Sequence, residues 1–282
     1  MEELFFINAG TIQNPRKIFV HALFNEKKAG VFVLLFNPFL DRIAAFSAQS
    51  TQVEIARALH VKGINTMHFD YYGTGDSGGE LYEIDFNQTL NDVNEIVRYI
   101  KNQFSPSKII LFGVRFGADV ALHVSKMHDE LDNLILYEPV INGNFFYKEK
   151  KYIVKANHLL WNINPEVDIE IGGELHEDFD GIPFSENLKN FICQMRSDEL
   201  EITGRNILLF NLDATGHDEK LDAISSKKHI KNFVVNHSQQ NRIKEVVLNL
   251  AEGQNSLINK TIAWIVKFVL LVESASTVEN RI

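Results

Sequence analysis

The stretch Ile109-Ile110-Leu111-Phe112-Gly113-Val114-Arg115-Phe116-Gly117-Ala118-Asp119-Val120-Ala121-Leu122 reads as a strand that passes at once into a helix through Gly-x-Arg-x-Gly. Glycines on both flanks let strand and helix approach closely around a strained turn. That turn lifts the middle side chain out at the edge of a sheet, toward the helix N-terminus. The raised side chain is Arg115. An arginine stays protonated and offers five donors but no nucleophilic lone pair, so attack on an acyl carbon from this position is excluded. A fixed cation beside helix-terminal N–H groups can instead bind a carboxylate or phosphate. Equally, it can pair with a local carboxylate such as Asp70 or Asp213 and simply fill the position. The sequence leaves both readings open.

Outward from this turn, apolar runs rich in β-branched and aromatic residues recur at Lys17–Phe24, Val31–Phe36, Asn65–Phe69, Lys108–Phe112, Asn133–Tyr137, Asn206–Leu212 and Lys231–Val235. They predict strands. Between them lie helical patterns: Phe86, Leu90, Val93, Val97 and Ile100 share one face, as do Val53, Ala56 and Leu59. Near-continuous apolar strands alternating with amphipathic helices predict a mostly parallel sheet covered on both faces, with functional groups gathered at the carboxyl ends of the strands. The rhythm breaks between Phe145 and Arg205, where only a short hairpin at Val167–Ile171 and a helix near Ser185–Met195 suggest themselves. The expected organisation is a core of residues 1–144 and 206–282 with an inserted cap at 145–205.

Three further segments fit the surroundings of such a turn. Phe69-Asp70-Tyr71-Tyr72-Gly73-Thr74-Gly75-Asp76-Ser77-Gly78-Gly79 follows a strand and packs four glycines into a loop that can cradle phosphate or merely turn. Its Ser77 is a candidate substitute nucleophile, although a turn hydroxyl usually bonds local backbone. Phe36-Asn37-Pro38-Phe39-Leu40 follows another strand, where Phe39 or Leu40 can donate an oxyanion-hole N–H. With nucleophile, acid and histidine in chain order, Asp213 and His237 occupy the acid and base places, and His217 with Asp218 are their rivals. Asn37, Phe39, Leu40, Asp70 and Phe116, the residue after the raised arginine, are the candidate ligand contacts. Zinc spacing is missing, since His123 and His128 are five apart and point to different helix faces, and no cofactor is implied.

Together these segments predict the α/β-hydrolase fold, in which the raised residue of an active serine enzyme is Ser. More narrowly, the chain resembles the exosortase-A-system-associated hydrolases of the second type, from bacterial exopolysaccharide and protein-sorting loci. The resemblance rests on Asn37-Pro38-Phe39 with the following helix to Leu59, on Asp70 to Gly78, on Gly113-Val114-Arg115-Phe116-Gly117-Ala118 and on Tyr137-Glu138-Pro139-Val140-Ile141-Asn142-Gly143. Asp180 to Ser185 is a looser match. The resemblance implies that the central arginine is inherited. It departs near the C-terminus, where Asn236-His237-Ser238-Gln239 replaces an aromatic-containing motif.

Composition narrows the function classes. The excess of 37 acidic over 28 basic residues gives a charge of −9, which repels a phosphate backbone and argues against general nucleic-acid binding. A single cysteine, Cys193, allows no internal disulfide, and Glu2 and Glu3 stand where a secretory signal carries positive charge, so a cytoplasmic location is expected. The apolar segment from Ile258 to Val272 is broken by Lys260 and Lys267 and falls short of the roughly 20 residues a transmembrane helix needs. Its Ile258, Ile262, Ile265, Val266 and Val269 predict a helix packed on the sheet. Two functions remain: a non-hydrolytic protein binding an anionic or acyl ligand or a partner, or an ester or thioester hydrolase or acyltransferase using Ser77 or a water activated by His237 and Asp213.

Overall fold

A computed structural model describes residues 1–11, 13–25, 30–38, 42–160, 169–171, 173–178, 182–201, 205–211, 232–237 and 259–266. Its strands are β1 (Glu2–Gly10), β2 (Pro15–Leu23), β3 (Val31–Phe36), β4 (Asn65–Phe69), β5 (Lys108–Val114), β6 (Asn133–Tyr137), β7 (Ile169–Ile171), β8 (Glu174–Asp178), β9 (Pro183–Phe184), β10 (Asn206–Asn211) and β11 (Asn232–His237). Its helices are α1 (Arg42–Val61), α2 (Phe86–Phe104), α3 (Phe116–Met127), α4 (Gly143–Leu160) and α5 (Glu186–Gln194), followed by a helical segment at 259–266.

β3 shows why the sheet is covered twice. All six of its side chains are buried, and alternate residues enter different cores. Phe32, Leu34 and Phe36 pack with Val93 and Ile96 of α2 and Phe116 and Val120 of α3. Val31, Val33 and Leu35 pack with Ile55 and Leu59 of α1 and with Ile262 and Ile265. The period of two along the strand thus assigns each side chain a face. The strands run in the order β1-β2-β4-β3-β5-β6-β10-β11, parallel from β4 to β11, with β2 antiparallel to both β1 and β4.

Between β6 and β10 the chain leaves the sheet. There α4, the three-stranded β7-β8-β9 sheet and α5 form the insertion. Its Phe146, Val154, Leu188, Phe191 and Ile192 join the core on the α2–α3 side, so the segment is packed on the body.

The structure corrects several expectations. β1 had no sequence signal, because Leu4 and Phe6 on its exposed face are as apolar as Phe5 and Ile7 on the inner one and hide the alternation. α4 lies where the sequence pattern suggests no helix, because Phe145, Tyr152 and Leu159 on its exposed face blur the alternation in the same way. The hairpin expected at Val167–Ile171 is instead β7 paired antiparallel with β8. The last strand runs on to His237, because Asn236 and His237 pair with Phe210 and Asn211; the histidine ends the strand and does not follow it. Among the described residues, no helix is long and apolar enough to cross a membrane.

Candidate functional site

The carboxyl ends of the parallel strands set out the candidate residues in a row. Asn37 follows β3, Asp70 follows β4, Arg115 follows β5 and Glu138 follows β6, while His237 ends β11. At the middle of the row, Arg115 sits between β5 and α3 with φ 54 and ψ −125, a combination that side chains with a Cβ rarely adopt. Its N–H donates to the Tyr137 carbonyl at 2.8 Å and its carbonyl accepts from Ala118 N at 2.9 Å. The flanking glycines are required by space. A Cβ on Gly113 would lie 2.4 Å from the Gly117 carbonyl oxygen, and one on Gly117 would lie 2.4 Å from the carbonyl oxygen of Phe36 and 2.6 Å from that of Asn37. The turn is therefore wedged against the end of β3 at a distance only glycine allows.

The guanidinium reaches toward the end of β6. Arg115 Nη1 lies 3.7 Å from Glu138 Oε2, with both side chains mostly covered, and its Cζ is 6.0 Å from the centre of the Phe146 ring. Glu138 was not a sequence candidate for pairing with Arg115. Asp70, one of the carboxylates expected to pair with Arg115, faces its own loop instead. Its Oδ2 accepts from Asp76 N at 3.0 Å and its Oδ1 from Asn37 Nδ2 at 3.2 Å. A Cβ on Gly75 would lie 2.2 Å from that carboxylate, so the loop turns around Asp70. Burial pushes the Asp70 carboxyl up, against the pull of the Asp76 N–H.

Glu138 is held by a turn of its own. Glu138 has φ 45 and Ile141 has φ 69, both in the left-handed region without being glycine. Behind them lies Asp119, on the first turns of α3 and fully buried. Its carboxylate accepts from Val140 N at 2.7 Å, from Ile141 N at 2.9 Å and from Ser197 Oγ at 2.6 Å. Burial raises its pKa to about 6, although these three donors and the Arg115 charge pull the other way. One helix thus carries Arg115 at its start and, one turn on, the carboxylate that fixes the loop presenting Glu138. Sequence reasoning missed Glu138, Asp119 and Ser197. An acid placed immediately after an apolar strand was the available sign for the first; contacts 21 and 78 residues away in the chain left none for the others.

The remaining candidates divide. Ser77 Oγ donates to the Asp70 carbonyl at 2.6 Å and accepts from Phe19 N at 2.8 Å, so it ties the loop to β2. β2 and β4 lie on one side of β5 in the strand order, so that hydroxyl is held to the side of the Arg115 turn. Asn37 donates to the Phe69 carbonyl at 2.9 Å as well as to Asp70, bracing β3 against β4. The Phe116 ring is fully buried, edge-on to Phe146 at 4.7 Å, which leaves contact with a ligand to its backbone. Backbone pairing puts His237 opposite Asn211 at the carboxyl end of the sheet. Phe39, Leu40, Asp213, His217 and Asp218 lie outside the described residues.

Comparison with known proteins agrees with the fold. The family described as serine aminopeptidase, S33, matches residues 47–207. No curated protein matches the chain. Among solved structures, a hydrolase from Agrobacterium vitis S4 is similar at 14% identity and a TM-score of 0.66, covering 94% of this chain and 99% of that one. Est1E from Butyrivibrio proteoclasticus with bound ferulic acid is similar at 15% identity and 0.65, covering 95% and 99%. A soluble variant of monoglyceride lipase from Saccharomyces cerevisiae, in complex with a substrate analog, is similar at 15% identity and 0.63, covering 95% of each chain. At such identities the likeness is one of fold.

Proposed function

The chain belongs to the serine aminopeptidase S33 family and has the α/β-hydrolase fold, and from that premise we propose that it is a member that binds a ligand without forming an acyl-enzyme. The observation that carries this reading is the backbone of Arg115. Its φ of 54 and ψ of −125, between glycines that admit no Cβ, match what a nucleophile elbow requires, yet the residue so displayed is a permanent cation. Strain of this kind costs of order 1–3 kcal/mol and persists where surrounding structure holds it for use.

The ligand head group that suits the position is a carboxylate or phosphate, which would compete with Glu138 for the guanidinium. The Glu138 carboxylate at 3.7 Å is farther away than a close charge-assisted hydrogen bond of about 2.8 Å, so a better-placed anion has room to gain. The position lies at the N-terminus of α3, whose partial positive charge favours an anion there as well. The insertion after β6 is the cap of this site in that reading, its Phe146 supplying an apolar wall for an acyl chain beside the guanidinium. The resemblance of the Arg-centred turn to exosortase-A-system-associated hydrolases of the second type supports reading the protein as an accessory factor in a bacterial surface-polysaccharide or sorting pathway. The engagement of Ser77 with backbone on both sides speaks against its use as a substitute nucleophile.

The test uses purified protein with a fluorophosphonate probe, p-nitrophenyl acyl esters and a titration with a fatty-acid carboxylate. The expected result is no labelling, no turnover, and carboxylate binding that weakens at least about tenfold in Arg115→Ala, the loss of a charge-assisted contact. Turnover that disappears in His237→Ala would replace this reading with a water-based hydrolase. Carboxylate binding unchanged in Arg115→Ala would reduce the arginine to a filler.

A further inference from the structure

The insertion turns an unusual face to solvent. On α4, Phe145, Tyr152 and Leu159 are 62%, 75% and 81% exposed. They are spaced by seven residues, about 20° short of two full helical turns, so the three form one stripe about 21 Å long. Val154, on the opposite side of the helix, and Phe146, about a quarter-turn round from Phe145, bury themselves in the core. Lys148 and Lys155, both exposed, border the stripe along one edge; Glu149 and Ala156 border it along the other. Across α4 as a whole, four lysines (148, 150, 151 and 155) against Glu149 give 4 − 1 = +3, in a chain whose total is −9. Lys151 is paired at the surface with Glu177 at 2.8 Å, and Lys150 lies 5.6 Å from the centre of the Phe146 ring, which leaves Lys148 and Lys155 as the cations beside the apolar stripe.

We infer that α4 is an interfacial helix by which the protein docks on an anionic lipid surface. Three large apolar side chains aligned on an exposed helix, with lysines at their border, are what embeds in the headgroup region: the apolar tips enter the acyl boundary while the lysines meet lipid phosphates. The local sign of charge decides the partner. The molecule as a whole is acidic and is repelled by such a surface while this helix is attracted, which favours docking with α4 toward the lipid. A second copy of the chain is the less favoured occupant, because facing α4 helices would bring lysine-bordered stripes of net positive charge together. The docking does not depend on the ligand reading of Arg115, but it gives that reading a direction. The same helix contributes Phe146 on its inner side, edge-on to Phe116 and near the Arg115 guanidinium, so a docked molecule holds its candidate site beside the bilayer, where amphiphiles with acidic head groups are concentrated.

The experiment is flotation of the full chain with vesicles of about one part phosphatidylglycerol to two parts phosphatidylcholine, and with vesicles of phosphatidylcholine alone. The protein is expected to float with the anionic vesicles, and the triple variant F145S/Y152S/L159S to lose at least about tenfold in vesicle affinity, since each side chain contributes buried apolar area at the interface. K148E/K155E should weaken binding to the anionic vesicles and leave phosphatidylcholine unaffected, and raised salt should mimic it. All substituted residues face solvent, so both variants should keep the thermal unfolding temperature of the parent. Failure of the parent to float with anionic vesicles, equal flotation of the triple variant, or a solution dimer that the triple variant dissolves without any vesicle binding would each overturn the proposal, the last in favour of a second copy.

Discussion

Two neighbouring turns at the carboxyl edge of the sheet solve one problem by different means. After β5, Arg115 adopts φ 54; after β6, Glu138 adopts φ 45 and Ile141 φ 69. The first turn is held by the absence of side chains. Gly113 and Gly117 let α3 press against β5 and against the end of β3, and the strained arginine follows from that packing. The second turn has no glycine at either strained position, and Ile141, with a branched Cβ, is a residue for which this backbone is a pronounced outlier. It is held by hydrogen bonds from outside: Val140 and Ile141 donate to Asp119, Glu138 N donates to the Phe210 carbonyl at 2.9 Å, and the Ile141 carbonyl accepts from Asp198 N at 3.2 Å. One turn rests mainly on close packing that glycine permits, the other on hydrogen bonds to a buried carboxylate. The cation of the first and the anion of the second meet because α3 belongs to both.

The largest expected effect comes from removing that shared support. Asp119→Ala leaves two buried backbone N–H groups and the Ser197 hydroxyl without their acceptor while the left-handed residues lose what holds them, and should cost about 4 kcal/mol of unfolding free energy. Urea denaturation measures it directly. A loss below about 1 kcal/mol, the size of a surface substitution, would mean that the β6 turn supports itself and that the contrast between the turns is false.

The difference between the turns is also the difference between what the sequence discloses and what it conceals. Gly113 and Gly117 bracket Arg115 within five residues, so the first turn, and with it the strand–helix frame and the parallel sheet, can be read from local pattern. Asp119 finds its partners 21, 22 and 78 residues away, across the insertion, and a buried aspartate in an apolar helix looks from sequence alone like a misplaced charge. Glu138 could be read as the residue after a strand but not as the partner of Arg115, because that pairing depends on two turns held by unrelated means. α4 and β1 were lost to a third cause: each carries large apolar residues on its exposed face, so the contrast between inner and outer positions, on which any periodicity depends, is faint.

Acid should separate two titratable groups on α3, His123 and Asp119. His123 is buried against the edge of Phe86, and burial lowers its pKa to about 4 from the ordinary 6.5. The folded state therefore resists a proton that the unfolded chain accepts: this contribution to stability is complete above pH 6.5 and is lost as pH falls toward 4. It amounts to about 2 kcal/mol once partial exposure is allowed for. His68, lowered to about 4 by burial and by the neighbouring His21, acts in the same direction. Asp119, raised to about 6, has the opposite sign, since the folded state holds a proton that the unfolded state releases between pH 6 and 3.8, so its contribution grows as pH falls through that window. Unfolding measured at pH 7 and pH 4.5 should accordingly show a smaller acid loss in His123→Gln and a larger one in Asp119→Asn than in the parent. Parallel behaviour of all three proteins would show that neither group is buried in the folded state as described.

The smallest effect carries the most information about the first turn, because its sign is what matters. Arg115→Gly removes a Cβ from φ 54 and ψ −125, a region glycine enters freely, and so should recover part of the 1–3 kcal/mol that such a conformation costs. Against this stand the loss of the guanidinium's contacts, among them the 3.7 Å pairing with Glu138, the charge acting on Asp119 and the approach to the Phe146 ring, and the greater freedom of glycine in the unfolded chain, the last about 1 kcal/mol or less. The balance is a gain of about 1 kcal/mol, read as a rise in the urea midpoint with unchanged slope. Arg115→Ala loses the same pairing while keeping the Cβ, so it should show no such gain, and the pair of variants separates strain from charge. A protein that becomes more stable when its central arginine is removed has been keeping that residue for something other than folding. Equal destabilisation by both substitutions would instead show the guanidinium to be part of what holds the turn, and would set the two turns on the same footing after all.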